Sequence, residues 1–129
     1  MILIAERDQN VRELQRFFLD KAGFTVEFAA DGQAALARAR QILPGLVITE
    51  ILLPKLDGLT LCRRLQDDPV THDIPVLVFS ILAAAARAEA AGASAYLRKP
   101  LIESIFIATV QQLTAAKPPV MMEQQWASR

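Results

Sequence analysis

The chain has one cysteine, one histidine, one tryptophan and one tyrosine, and no excess of charge: its 129 residues carry 14 Lys and Arg against 14 Asp and Glu. A lone Cys62 forms neither an internal disulfide nor a cysteine-based zinc site, so a cytoplasmic location is expected. The balanced charge speaks against nucleic acid as a direct partner, because phosphate binding shows as a basic excess on the binding domain. Long apolar runs are missing too. The apolar start, residues 1–5, is cut short by Glu6-Arg7-Asp8 and has no basic residues before it, which fits neither a signal peptide nor a membrane span. There is no internal repeat and no Gly-rich phosphate loop. His72 lies in the polar loop 67–73 without a serine or cysteine nucleophile nearby, so no catalytic set is visible. The chain is not expected to be an enzyme.

What is present is enough apolar material for one core: 53% of residues are hydrophobic and 22% charged, at a length typical of a single domain. Five short apolar runs, residues 2–5, 25–29, 46–49, 76–79 and 95–97, are each followed by helical spacing. In the first helical stretch Val11, Leu14 and Phe18 form the expected inward face, with Asp8 or Asn10 as cap and Gly23 as stop. The second has Ala35, Leu36, Ala39 and Ile42 on one face before Pro44. The third starts at Asp57-Gly58, which reads as a turn and cap, and turns Leu61, Cys62 and Leu65 inward before Pro69. Residues 82–91, ending at Gly92, form the fourth, and 102–115 the fifth, with Phe106, Val110 and Leu113 inward.

Alternation of this kind, with near-continuous apolar strands, predicts an α/β fold: a doubly wound (βα)5 with a parallel five-stranded sheet covered on both faces. Ligand sites in such sheets lie at the carboxyl ends of the strands. That places attention on Glu6-Arg7, Thr49-Glu50, Ser80 and Arg98-Lys99. After Lys117, Pro118-Pro119 cannot continue a helix, which divides the chain into a domain, 1–115, and a tail or linker, 116–129. The tail carries Val120, Met121, Met122 and Trp126, which either pack back on the domain or lead elsewhere.

Several short motifs, in order and at suitable spacing, carry a resemblance: Ala30-Asp31-Gly32, Leu46-Val47-Ile48-Thr49-Glu50 followed by Leu53-Pro54 and Leu56-Asp57-Gly58, then Ile74-Pro75-Val76, Ala91-Gly92-Ala93, and Ala95-Tyr96-Leu97-Arg98-Lys99-Pro100. Over residues 1–115 the chain resembles the CheY-like receiver domains of two-component response regulators. The resemblance implies a flavodoxin-like sheet of order 2-1-3-4-5 and a role in bacterial phosphorelay signal transduction. In that family an aspartate after the third strand accepts a phosphoryl group, two acids after the first strand hold Mg²⁺, a Ser or Thr and a Lys contact the phosphoryl group, and an aromatic on the fifth strand changes rotamer. Carried onto this chain, the hydroxyl is Ser80, the lysine Lys99, the aromatic Tyr96, and Pro100 follows the family's cis bond. The acidic pair falls on Glu6 and Arg7, and the phosphoacceptor position holds Glu50.

Both departures touch the chemistry. Mg²⁺ seeks about six oxygens near 2.1 Å, and a guanidinium at a ligand position opposes it, so no metal or other cofactor is expected. Glu50 carries its carboxylate about 1.5 Å further from the backbone than aspartate would. A misplacement of about 1 Å costs on the order of a hundredfold in a positioned reaction. The expected reading is a pseudo-receiver that works as a phosphorylation-independent protein-interaction module. The alternative is a working phosphoacceptor with Mg²⁺, with Asp8 rescuing the metal site. Two outcomes stay open for Glu50: reaching Ser80 and Lys99 so as to resemble the phosphorylated state, or a structural ion-pair cluster. Tyr96 is either a switch or ordinary packing, and Arg7 either balances the pocket's charge or points outward from its loop.

The segment from Ser80 to Gly92 is about one helical turn shorter than the family's usual length. Ile102 and Ile105 occupy positions that the family more often gives to polar residues. The family uses the surface of the fourth helix, fifth strand and fifth helix for partners and dimers. An apolar patch there is an expected contact for a signalling partner or a second copy of the chain, unless the tail covers it.

Overall fold

The structure, a computed structural model, describes residues 1–115; the tail 116–129, with the expectations placed on Val120, Met121, Met122 and Trp126, lies outside the described residues. Five βα units run β1 (Ile2–Ala5), α1 (Gln9–Lys21), β2 (Val26–Ala29), α2 (Gly32–Ile42), β3 (Leu46–Thr49), α3 (Gly58–Asp67), β4 (Val76–Ser80), α4 (Ala85–Ala90), β5 (Ala95–Arg98) and α5 (Glu103–Thr114). All neighbouring strands are parallel, in the order β2-β1-β3-β4-β5. This is the doubly wound sheet that the sequence predicts.

The three central strands are buried at every residue, whereas edge strands β2 and β5 are partly exposed. Alternation along the central strands divides the core in two. Leu3, Ala5, Val47, Val76 and Val78 pack against Ala35 and Ala39 of α2, Leu61, Cys62 and Leu65 of α3, and Ala88 of α4. Ile2, Ile4, Leu46, Ile48, Leu77 and Phe79 pack against Leu19 of α1 and Phe106 and Val110 of α5. Capping follows the expected chemistry: Asp8 accepts from the Asn10 and Val11 amides, and Asp57 from those of Leu59 and Thr60. Gly23 and Gly92 both adopt φ of +93° just after α1 and α4, a backbone state that favours glycine.

Two expectations need correction. On α1, Leu14 is exposed, and the buried positions are Gln15 and Leu19, so the inward stripe is rotated relative to the expected one. The Gln15 carboxamide, fully buried, finds no hydrogen-bond partner among the described residues. The fourth helix begins at Ala85 rather than Leu82. Its alanines favour helix, but the Leu82 carbonyl, which a helix starting there would pair with the amide of residue 86, accepts from the Tyr96 hydroxyl instead, while the Leu82 and Ala84 amides bond Ser80 Oγ and that same hydroxyl.

Candidate functional site

The chain passes from β1 outward to β2 and returns to β3 on the other side of β1, so strand order reverses between β1 and β3. A crevice opens where connections diverge in this way. The residues that follow those strands are Glu6 and Glu50, and both are buried, as is Ser80 at the end of β4. Lys99 follows β5, where its amide bonds the Ser80 carbonyl at 2.8 Å. The Lys99–Pro100 peptide is cis.

Lys99 Nζ lies 3.0 Å from Glu6 Oε1 and 3.0 Å from Glu50 Oε2, with only 12% of its side chain exposed. Its ammonium also sits 5.6 Å from the centre of the Phe79 ring. Glu6 Oε2 accepts from the Asp8 amide at 3.2 Å. Glu50 is saturated. Its Oε1 accepts from Ser80 Oγ and from the Ile51 and Leu52 amides, and its Oε2 from the Ile81 amide at 3.3 Å besides Lys99. Burial alone pushes the Glu50 carboxyl up, but Ser80, Lys99 and the Ile51 amide together outweigh it and hold it below the ordinary range. Burial likewise pulls Lys99 down, and the two carboxylates more than restore it, so its ammonium is held above the ordinary lysine value.

Arg7 is not in this cluster. It is exposed and makes no ion pair among the described residues, so the cationic member of the pocket is Lys99 alone. Glu6 and Glu50 therefore carry two negative charges against one positive charge, and the expected internal balance with Arg7 does not hold. The physical reason is position: Glu6 continues the inward run of β1, and Arg7 is the first residue turned out into water. Asp8 is also occupied elsewhere, as the α1 cap. Among the described residues no three His, Cys, Asp or Glu side chains gather as a metal site.

From the cluster a chain of hydrogen bonds runs to β5. Ser80 Oγ donates to Glu50 and accepts from the Leu82 amide at 3.1 Å; the Tyr96 hydroxyl donates to the Leu82 carbonyl and accepts from the Ala84 amide at 3.2 Å. Tyr96 also packs against the α2–α3–α4 core layer. Beyond this segment Ile81, Ile102 and Ile105 are 53%, 53% and 50% exposed, the last two beside a cleft walled by Phe79, Leu97 and Phe106. His72 stays in its exposed loop beside Asp73, and Cys62 is a buried core thiol, pushed by that burial up to about 11.

Sequence reasoning missed three parts of the site. The amides of Ile51, Leu52 and Ile81 leave no signature in side-chain types. Arg12, whose Nε donates to the Glu6 carbonyl, looks like any surface helix residue. Gly58 is more than a turn glycine: a Cβ there would lie 2.0 Å from the Glu50 carbonyl oxygen, so α3 approaches the site's backbone only because this side chain is absent. Its amide bonds the Ile51 carbonyl at 2.9 Å.

Comparison with known proteins agrees with this geometry. Residues 2–111 match the response regulator receiver domain model. The response regulator PleD of Caulobacter vibrioides is 34% identical over 120 residues, 91% of this chain and 26% of its own length. The DNA-binding dual master transcriptional regulator RpaA of Synechocystis is 37% identical over 115 residues, 87% of this chain and 48% of its own. This chain thus spans half or less of these two relatives. The crystal structure of the signal receiver domain of a histidine kinase from Syntrophus aciditrophicus superposes with a TM-score of 0.83 at 29% identity, covering 88% of this chain and 89% of that one. A parallel sheet of order 2-1-3-4-5, a buried acid and lysine at its switch point and a family match over nearly the whole described chain lead to one conclusion: this chain belongs to the response regulator receiver domains.

Proposed function

We propose that this receiver domain is a pseudo-receiver, a non-enzymatic protein-interaction module of cytoplasmic bacterial signalling that works without phosphorylation of Glu50. The observation that carries the reading is the saturation of the Glu50 carboxylate by Ser80, Lys99 and three backbone amides. In-line attack on a phosphoryl donor requires a free oxygen lone pair and donors left over for the transferred group. Here the same donors already serve the attacking group.

The donor set does not fit Mg²⁺. Two carboxylates share one ammonium, Arg7 stands where a second acid of the pair would be, and Asp8 is committed to its helix cap. A hard divalent ion asks for several oxygens in octahedral array, and Lys99 competes for the two that face each other.

In this reading Glu50 holds a single state. Its longer side chain carries negative charge to Ser80, and the bonds through Leu82 to Tyr96 fix residues 81–84 against β5. The partner surface is the α4–β5–α5 face, where Ile81, Ile102 and Ile105 stand in water. A second copy of the chain or another signalling protein docks there, with no direct contact to nucleic acid or membrane. Among the described residues no helix is long and apolar enough to cross a membrane.

The deciding experiment is incubation with acetyl phosphate and Mg²⁺, read by intact mass. No mass gain is expected. A labile gain of one phosphoryl group that maps to Glu50 refutes the pseudo-receiver and restores the phosphoaccepting alternative. For the partner surface, Ile102→Asp or Ile105→Asp should abolish self-association or partner binding with the circular dichroism spectrum unchanged; unaltered sedimentation and binding would remove the interface.

A further inference from the structure

The sheet has two open edges, and β2 is the one opposite β5. The Ile2 amide donates to the Thr25 carbonyl and the Glu6 amide to the Ala29 carbonyl, which turns the odd-numbered positions of β2 toward β1. Because main-chain groups alternate along a strand, the amides and carbonyls of Val26 and Phe28 point away from the sheet, with no strand beside them among the described residues. On the α2 face of this edge Glu27 is bonded to Arg38, so that pair is neutral. The α1 face is cationic. There Arg12 and Arg16, one helical turn apart, hold their guanidiniums 5.9 and 5.0 Å from the centre of the Phe28 ring, in a depression of about 250 Å³ that Gln9 and Glu13 complete. Arg12 Nε donates to the Glu6 carbonyl and Arg16 is exposed; neither pairs with a carboxylate among the described residues. Glu13 accepts from Gln9, which leaves two cations against one anion.

We propose that this edge takes an extended acidic segment of a partner protein as a sixth strand, with carboxylates at alternate positions set against Arg12 and Arg16. Four residues of helix rise about 6 Å, and alternate side chains on one face of a strand stand about 6.6 Å apart, so the two guanidiniums match an acid-x-acid spacing. Main-chain bonds to Val26 and Phe28 supply affinity, and the arginines select the partner. Charge on a short edge strand discourages pairing with a like edge. A second copy of β2 added antiparallel would set arginines against arginines on the same face, whereas an acidic strand meets the opposite sign. The site lies at the other edge of the sheet from Ile102 and Ile105, and it depends neither on that surface nor on the chemistry of Glu50.

The probe is a synthetic peptide of four Val-Glu repeats, blocked at both ends and titrated into the 129-residue protein while its amide nitrogen–proton spectrum is recorded. The Val26 and Phe28 amides should shift and gain protection from exchange. Arg16→Glu, an exposed helix substitution whose fold is checked by circular dichroism, should weaken binding about tenfold, through one lost ion pair and one new repulsion. Replacing the peptide's glutamates by lysine should abolish binding. Methylating the peptide's amide nitrogens at odd or at even positions should block it in one case only, since one set faces β2. No binding, an unchanged affinity with Arg16→Glu, equal binding of the lysine peptide, or equal tolerance of the two methylated peptides overturns the proposal. Concentration-dependent shifts of the Val26 and Phe28 amides without peptide would assign the edge to a second copy and overturn it as well.

Discussion

At the carboxyl end of the sheet, two buried acids and a buried lysine hold one another, and the amides of residues 51, 52 and 81 complete their hydrogen bonding. At the amino end the same five-stranded frame presents Ile74, Pro75 and Leu113 to a groove with little charge except at Asp73 on the rim. Strand direction accounts for part of the contrast. Connections diverge at the carboxyl end, opening a crevice where side chains from β1, β3, β4 and β5 converge, whereas the amino end receives the tight returns from the helices. Stability at the first end should depend on charge state, and at the second on packing alone.

The largest expected effect follows from removing the shared cation. Lys99→Ala leaves Glu6 and Glu50 buried without a counter-charge and should cost about 3–5 kcal/mol near neutral pH. The cost should shrink in acid, where the carboxyls take up protons. Urea unfolding at two pH values checks both points, and a pH-independent loss would mean that Lys99 acts only as packing.

In the parent protein the sign runs both ways. Glu50 is held below its ordinary value of 4.5, so its contribution is complete above that value and is lost as pH falls through the lowered one. Lys99 is held above 10.5, so its contribution is present below that value and is lost as pH rises through the raised one. A stability plateau between roughly pH 5 and 10 is expected from these two groups. A monotonic slope across that window would break the assignment.

At the other end, Ile74→Ala should cost about 2–4 kcal/mol through lost burial and a residual cavity, by the same amount at pH 5 and pH 8. Next in size is Gly58→Ala. An exposed helix would gain from it, but the close approach to the Glu50 carbonyl reverses the sign, to a loss of about 1–3 kcal/mol. An unchanged or raised denaturation midpoint would show that α3 can move away from the site freely. The smallest effect lies between the two ends: Gln15→Leu should stabilise by about 1 kcal/mol, because it removes a buried carboxamide without a partner among the described residues. A loss of stability would show that the amide is satisfied in solution.

Much of the fold was legible because βα alternation, Asp caps and terminating glycines are local signals, and local signals survive in the tertiary structure. The candidate side chains Glu6, Glu50, Ser80 and Lys99 were legible because they follow strands whose ends must converge. The role expected of Arg7 was not, since one residue along a strand exit decides between pocket and water. Nor was the start of α4, where alanine propensity yielded to a bond from nearby Ser80 and to bonds from Tyr96 on β5, which no local window contains.

Periodicity thus determined, from the sequence alone, a doubly wound parallel sheet with an acid and a lysine at its strand ends, and the resemblance carried by its short motifs added the receiver type. Only the tertiary structure decided that one lysine serves two carboxylates, that three backbone amides complete Glu50, and that Gly58 sets how closely α3 approaches the Glu50 carbonyl. The Lys99 pairs with Glu6 and Glu50 and the Ile81 amide on Glu50 join segments remote in sequence, and even the bonds from neighbouring Ile51 and Leu52 depend on a side-chain direction that residue types constrain only after the chain has packed.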